Sequence, residues 1–153
     1  MKNSSPFEDL LPGIRALCEG ITDEIALMAT LSCELFHGDG RCDWVGFYRV
    51  TAPELLTIGP YQGGHGCLLI PFDKGVCGAA ARTGTTQLVD DVNAFEGHIA
   101  CSSSTLSEIV VPLFNGQGQV FAVLDIDSDQ PAAFDTADQA ILEGLVAEVF
   151  AHV

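Results

Sequence analysis

The sequence predicts an α+β domain: a mostly antiparallel sheet of about six strands with N- and C-terminal helices packed on one face. Three observations predict it. Apolar residues recur at helical spacing near both ends of the chain. Between those segments the period drops to two, in short runs bounded by turn residues. The last two of these runs meet across NGQG (115–118), a hairpin signal.

Each element has its own reason. Residues 1–5 read as a frayed start. Over 6–19, Phe7, Leu10, Leu11, Ile14 and Leu17 keep helical spacing, and Pro12 kinks or divides that helix. A stronger helix is expected over 23–36. Thr22 can cap it, Asp23 and Glu24 suit its first turn, Met28, Leu31 and Leu35 share a face, and HGDG (37–40) ends it. DWVGFYRVT (43–51) and 54–60 follow as two strands joined at Ala52-Pro53, and CLLIP (67–71) as a short buried strand. KGVCGAAART (74–83) reads as a small-residue helix entered through Gly75, and 86–89 as another strand. Residues 90–107 form a long irregular stretch, the kind of loop that in a compact domain carries function or is disordered. Strands 108–114 and 120–126 flank the hairpin turn. A helix over 135–151 closes the chain with Ile141, Leu145 and Val149.

Composition bounds the function. The length of 153 residues suits one domain spanning 1–153, and 48% hydrophobic residues can fill a core without disulfide staples. A net charge of −15, with only 6 Lys and Arg against 21 Asp and Glu, argues against nucleic acid and against anionic membrane surfaces. It suits a small cationic or zwitterionic ligand, or a partner with a basic patch. No stretch approaches the roughly 20 apolar residues of a membrane span. The N-terminus has no signal-peptide core, so a cytoplasmic location is expected, where thiols stay reduced.

Six cysteines in that setting are buried hydrophobes, metal ligands or redox groups. Cys18 and Cys33 fall in amphipathic helices and Cys42 at a strand entry, positions that suit a small core side chain. Cys67, Cys77 and Cys101 lie among small residues, in HGC, GVCG and IACSSS. Small neighbours let a second sulfur or a ligand approach, so these three are candidates for redox or catalytic use, with plain packing the alternative. His65, Cys67, His98 and Cys101 together also make the ligand set of a tetrahedral zinc, although neither half carries a paired-cysteine knuckle.

Asp125 and Asp127, in VLDIDS (123–128), are two apart and therefore on one side of a strand, with Glu108 starting the neighbouring strand. Three carboxylates at a pocket mouth would attract an ammonium group or hold a proton at neutral pH; a solvated strand end is the alternative. Trp44 and Tyr48, four apart on one strand, could line the same pocket or simply fill the core.

WVGFY (44–48), LLTIGPYQG (55–63), GVCG (75–78), FEGHIAC (95–101), SEIVVPL (107–113) and VLDIDS (123–128) together resemble the free methionine-(R)-sulfoxide reductases. These are a catalytic branch of the GAF domains, and the resemblance spans roughly residues 7–150. It extends to the cysteine spacing, with Cys77 ten positions after Cys67 and Cys101 twenty-four after Cys77. It implies a GAF-like fold and reduction of free L-methionine-(R)-sulfoxide in oxidative repair. The nucleophile would be Cys101, the resolving cysteine first Cys67, and Cys77 a helper or alternative resolver. Glu108, Asp125 and Asp127 would hold the substrate ammonium group and protonate the sulfoxide oxygen, while Trp44 and Tyr48 cradle the S-methyl group. Thioredoxin would be the reductant, no cofactor or metal would be needed, and the terminal helices could form a homodimer bundle. Ser102 stands where the family pattern has an acid. The competing expectation is a non-catalytic GAF module that binds a small ligand or senses redox state.

Overall fold

The computed structural model describes residues 4–99 and 101–153. The N-terminal segment is tied down early, so the frayed start does not extend to Ser5, which is buried. Ser5 Oγ accepts from the Phe7 N–H (3.1 Å) and donates to Asp138 (2.5 Å). The first helical segment is divided, as Pro12 predicts. A 3-10 turn covers Pro6–Leu10 and α1 runs Leu11–Cys18, with Pro12 in its first turn, where a missing N–H costs nothing. The second helix, α2, runs Glu24–Gly38. Its cap is Asp23 rather than Thr22, because the Asp23 carboxylate accepts from the Ala26 N–H at 2.9 Å and leaves Thr22 outside the turn.

Strands β1 (Trp44–Ala52) and β2 (Leu55–Gln62) form a hairpin whose turn falls at Pro53-Glu54, one residue later than expected. Strand β3 is only Leu69–Pro71. It is an edge strand rather than a buried one: Ile70 is 4% exposed but Leu69 is 58% exposed. Helix α3 (Gly75–Thr83) and strand β4 (Gln87–Val89) lie where expected. The long connection that follows contains one 3-10 turn at Val92–Ala94. Strands β5 (Ser107–Phe114) and β6 (Val120–Ser128) make the second hairpin, and α4 (Thr136–Val149) starts with a capping box between Asp135 and Asp138.

All pairings are antiparallel, in the order β3-β2-β1-β6-β5-β4. Alternation along the strands divides the sheet into two faces. On one face Val45, Phe47, Ile109, Val111, Leu113, Leu124 and Ile126 pack under α1, α2 and α4, together with Phe7, Met28, Leu31, Leu35 and Leu142. On the other, Trp44, Tyr48, Val110 and Val123 lie beneath α3 and the long connection. A helix of larger residues would not fit there. A Cβ at Gly78 would come within 2.7–2.8 Å of the Pro71 and Phe72 carbonyl oxygens. Among the described residues no helix is long and apolar enough to cross a membrane.

Candidate active site

The site lies on the α3 face of the sheet and follows from strand register. Trp44 stands opposite Asp127, Gly46 opposite Asp125, and Glu108 opposite Asp127 on the other side. Residues directly opposite share a face, so Trp44, Glu108, Asp125 and Asp127 all project to one side. One atom from each of the three carboxylates lies within 4.8 Å of the other two. The two alternatives for Trp44 and Tyr48 turn out to be compatible: both are buried in the α3-side core and both line the cleft.

Their rings stack at 5.8 Å, Tyr61 stacks on the Trp44 ring at 5.3 Å, and the indole N–H donates to the Gly64 carbonyl at 2.8 Å. This arrangement depends on a residue that strand alternation did not single out. A Cβ at Gly46 would come within 2.5 Å of both the Trp44 ring and the Tyr61 Cβ. Gly46 shows only as a gap in the WVGFY run, and Tyr61 shows only once the register is known.

The long connection and the turn before β3 close the cleft. Gly97 accepts from the Gly75 N–H (2.9 Å), which ties the connection to the start of α3, and Ile99 covers Gly75. Cys67 and Cys101, 34 positions apart, are joined in a disulfide with Cα atoms 5.3 Å apart, and both are half-buried. Cys77 is free and buried on α3, where burial and then Asp125, Glu108 and Asp127 push its thiol well above the ordinary range. Cys77 and Cys101 therefore line the same cleft, along with His65, His98, Ser102 and Thr105, and Cys67 is joined to it through the disulfide; the cavity volume is about 40 Å³.

The four candidate zinc ligands are only partly brought together: His65, His98 and Cys101 line the cleft, while Cys67 reaches it through its bond to Cys101, and in that oxidised pairing neither sulfur offers a thiolate. The remaining cysteines fit plain packing: Cys42 is buried and Cys18 half-buried against the helical core, and Cys33 is half-buried on α2.

Electrostatics give the cleft its character. Glu108 and Asp125 are both pushed well above the usual carboxylate range, first by burial and then by the neighbouring carboxylates. Tyr48 is pushed up in the same way, first by burial and then by Asp125, so it stays a neutral phenol. One oxygen of Asp125 and one of Asp127 are buried without a hydrogen-bond partner, as is His98 Nδ1. Buried polar atoms left unpaired cost about 1–3 kcal/mol each, so these atoms favour a hydrogen-bonding partner within the cleft. The cleft can hold a proton and a cation on its sheet wall and carry out thiol–disulfide chemistry on its loop wall.

A curled antiparallel sheet with a disulfide facing a carboxylate cluster across a ligand cleft defines a small-molecule-binding thiol–disulfide domain. Comparison with known proteins makes this specific. Residues 19–150 match the GAF domain family. The free methionine-R-sulfoxide reductase of Saccharomyces cerevisiae is 40% identical over 145 residues, covering 91% of this chain and 81% of the yeast protein. The Escherichia coli protein of the same name is 38% identical over 149 residues, covering 97% and 89%. The X-ray structure of the Neisseria meningitidis free methionine-R-sulfoxide reductase in complex with its substrate superposes with a TM-score of 0.90 at 41% identity, covering 95% of this chain and 86% of that one. The chain belongs to the GAF domain family and, within it, to the free methionine-R-sulfoxide reductases.

Proposed function

We propose that this protein reduces free L-methionine-(R)-sulfoxide to methionine, with Cys101 as nucleophile and Cys67 as resolving cysteine. The observation that carries the reading is the Cys67–Cys101 disulfide in a cleft whose opposite wall is the Glu108, Asp125 and Asp127 cluster. That disulfide is the oxidised end product such a cycle would leave.

A sulfoxide is a poor electrophile until its oxygen is protonated or strongly hydrogen-bonded. Three carboxylates sharing protons offer an O–H to that oxygen and an O⁻ to the substrate ammonium group, the division of labour that paired acids achieve by splitting their pKa values. The Cys101 thiolate attacks the sulfoxide sulfur. The oxygen passes to the cysteine, leaving methionine and a Cys101 sulfenic acid. The Cys67 thiol condenses with the sulfenic acid, releasing water and forming the disulfide. An external dithiol then returns both thiols by exchange and is itself oxidised. Thioredoxin is the dithiol this reading names, and the half-buried disulfide leaves it a point of entry. Cys77, free and buried in the same cleft as Asp125, would stand in reserve as a second resolver. Trp44 and Tyr48 would cradle the S-methyl group against their stacked faces.

The same reading makes the substrate a free amino acid. A peptide bond would remove the charge that the carboxylates hold, and a buried polar site left unpaired discriminates strongly. We place the protein in the cytoplasm, where a dithiol reductant operates. Leu17, Ile21 and Ile25, exposed around the α1–α2 junction, would be covered in a homodimer.

The test is an NADPH-coupled assay with thioredoxin and its reductase, offering the free (R) epimer, the free (S) epimer and a peptide-bound sulfoxide in turn. The expected result is turnover of the free (R) epimer alone, none with Cys101→Ser, and stalled recycling with Cys67→Ser. Full activity in Cys101→Ser, or equal turnover of the peptide-bound sulfoxide, would refute the assignment.

A further inference from the structure

A disulfide that is recycled by an external dithiol must be met by the protein that carries it, and the two sulfurs differ in what surrounds them. Cys101 lines the cleft together with Glu108, Asp125 and Asp127, and Cys67 is not among the lining residues. A thiolate arriving through the cleft would face carboxylates, which disfavour a second negative charge. Cys67 leads instead into the sheet edge: Leu68 follows it, and then β3, the outermost strand.

That edge is apolar in a chain that is otherwise rich in acids. Residues 55–72 hold no Asp, Glu, Lys or Arg, although the net charge of the protein is −15. Leu68 is 69% exposed and Leu69 58%. Successive residues of an extended segment point to opposite sides, so the two leucines straddle the edge. The backbone is open there as well. The Ile58 N–H donates to the Leu68 carbonyl, and the Phe72 N–H to the Glu54 carbonyl. Antiparallel ladders alternate, so Leu68, Ile70 and Phe72 face β2 while Leu69 turns its N–H and C=O outward. At the next outward position Pro71 has no N–H, and its carbonyl accepts from the Lys74 N–H at 3.1 Å. Edges are normally blunted by charge, proline or a covering segment. This one is left bare over a single residue, which suits a brief contact and is too short for lasting strand addition.

We propose that the β3 edge at Leu68 and Leu69 is the docking surface for the dithiol protein that recycles the disulfide, and that the attacking thiol enters at Cys67. The inference rests on the reductase reading and extends it by placing the reductant. The partner is a protein whose reactive cysteine is flanked by an apolar surface and an extended segment, which pairs with the Leu69 N–H and C=O. Its thiolate attacks Cys67 Sγ, the Cys67–Cys101 bond breaks, and Cys101 leaves with the electron pair and takes a proton from solvent in the cleft. The partner's second thiolate then attacks its own sulfur in the mixed disulfide and releases Cys67. Two electrons have passed from the dithiol to the two cysteines, and the partner keeps the new disulfide. A small apolar contact of this kind matches the size of transient redox encounters.

The experiment follows reduction of the oxidised protein with no sulfoxide present, by thioredoxin with its reductase and NADPH and, separately, by dithiothreitol, which needs no docking surface. Wild type is compared with Leu68→Glu, Leu69→Glu and Leu69→Ala. Each Glu variant should lower kcat/KM for thioredoxin about ten- to thirtyfold, as loss of an interface anchor does, with Leu69→Ala between them and wild type. The rate with dithiothreitol should stay within about threefold. A thioredoxin whose second active-site cysteine is replaced by Ser should be trapped on Cys67, as mass spectrometry of the linked peptides would show. Equal losses with both reductants, no loss with thioredoxin, or a Leu69→Glu variant that dissociates a dimer without slowing thioredoxin would overturn the docking surface. Trapping on Cys101 would overturn the point of entry. A wild-type protein that is reduced in this way but does not turn over the free sulfoxide would overturn the reductase reading and leave the docking surface standing.

Discussion

Two acidic clusters lie on opposite faces of one sheet, and they are built to opposite ends. On the helical face, Asp39 and Asp138 both grip Arg41, at 2.6 and 2.9 Å, and the guanidinium also lies over the Phe7 and Phe134 rings. Burial alone would raise the Asp138 pKa, but the hydrogen bonds from Arg41, Ser5 and the Asp135 N–H outweigh it and hold the carboxyl below the ordinary range. On the α3 face, Glu108, Asp125 and Asp127 are crowded just as closely and pair with no Lys or Arg among the described residues. Burial and mutual repulsion there drive Glu108 and Asp125 the other way. The difference lies in where the cation comes from. The first cluster contains its own and joins the chain start, the end of α2 and the start of α4; the second has none among the described residues.

The largest effects should come from breaking the open cluster. Asp125→Asn or Glu108→Gln should lower kcat by about 10²- to 10⁴-fold, the usual contribution of a positioned acid, without lowering the melting temperature above neutral pH. A variant that lost activity only because it unfolded would remove the contrast. Arg41→Met should do the reverse. Leaving Asp39 and Asp138 without their cation should cost about 3–5 kcal/mol, while activity per folded molecule stays near wild type; calorimetry and active-site titration together would show it.

A pH series then separates the two clusters by sign. Asp138 has a folded pKa below its unfolded value. The stability it contributes is complete above the ordinary carboxylate range of about 4 and is lost as the pH falls through the folded pKa. Glu108 and Asp125 have folded pKa values above their unfolded ones. Their protonated forms favour the fold below the ordinary carboxylate range, and stability drains away as the pH rises from there through the folded pKa. Relative to Asp125→Asn, the wild type should therefore lose stability on the alkaline side, and relative to Asp138→Asn on the acid side. Parallel curves would mean that the clusters are alike.

A smaller effect concerns the thiol. Carboxylates across the cleft disfavour a second negative charge, so in the reduced, ligand-free protein Cys101 should titrate no lower than an ordinary thiol, about 8.5. Iodoacetamide alkylation against pH reads this directly, and an apparent pKa well below that value would contradict it. Smallest of all, Arg15 and Glu148 make the same kind of ion pair on the surface at 3.1 Å, both about half exposed. Arg15→Ala should cost under about 1 kcal/mol, setting a baseline for what the buried arginine adds.

The legible parts of the sequence were those governed by strict periodicity. Alternation along 43–51, 107–113 and 123–128 was enough to place Trp44, Tyr48, Glu108, Asp125 and Asp127 on strands, and the pairing of Asp125 with Asp127 on one side follows from a period of two. Where side chains compete for the same backbone group, the reading slipped. Asp23 rather than Thr22 caps α2, because the carboxylate reaches the Ala26 N–H. The CLLIP strand looked buried because its residues are apolar, yet an edge position leaves Leu68 and Leu69 facing outward. Gly46 and Tyr61 entered the site through strand register, contacts between distant segments that no local pattern encodes. The Cys67–Cys101 pairing crosses 34 positions, and spacing alone left it open among three candidates.

One strand carries the consequence furthest. In β6 the core residues Leu124 and Ile126 alternate with the acids Asp125 and Asp127. Losing or gaining a single residue inside β6 would drive acids into the oily interior and empty the binding wall at one stroke. Changes in chain length across this lineage are therefore expected to be confined to the connections, with this nine-residue stretch inherited as an indivisible unit.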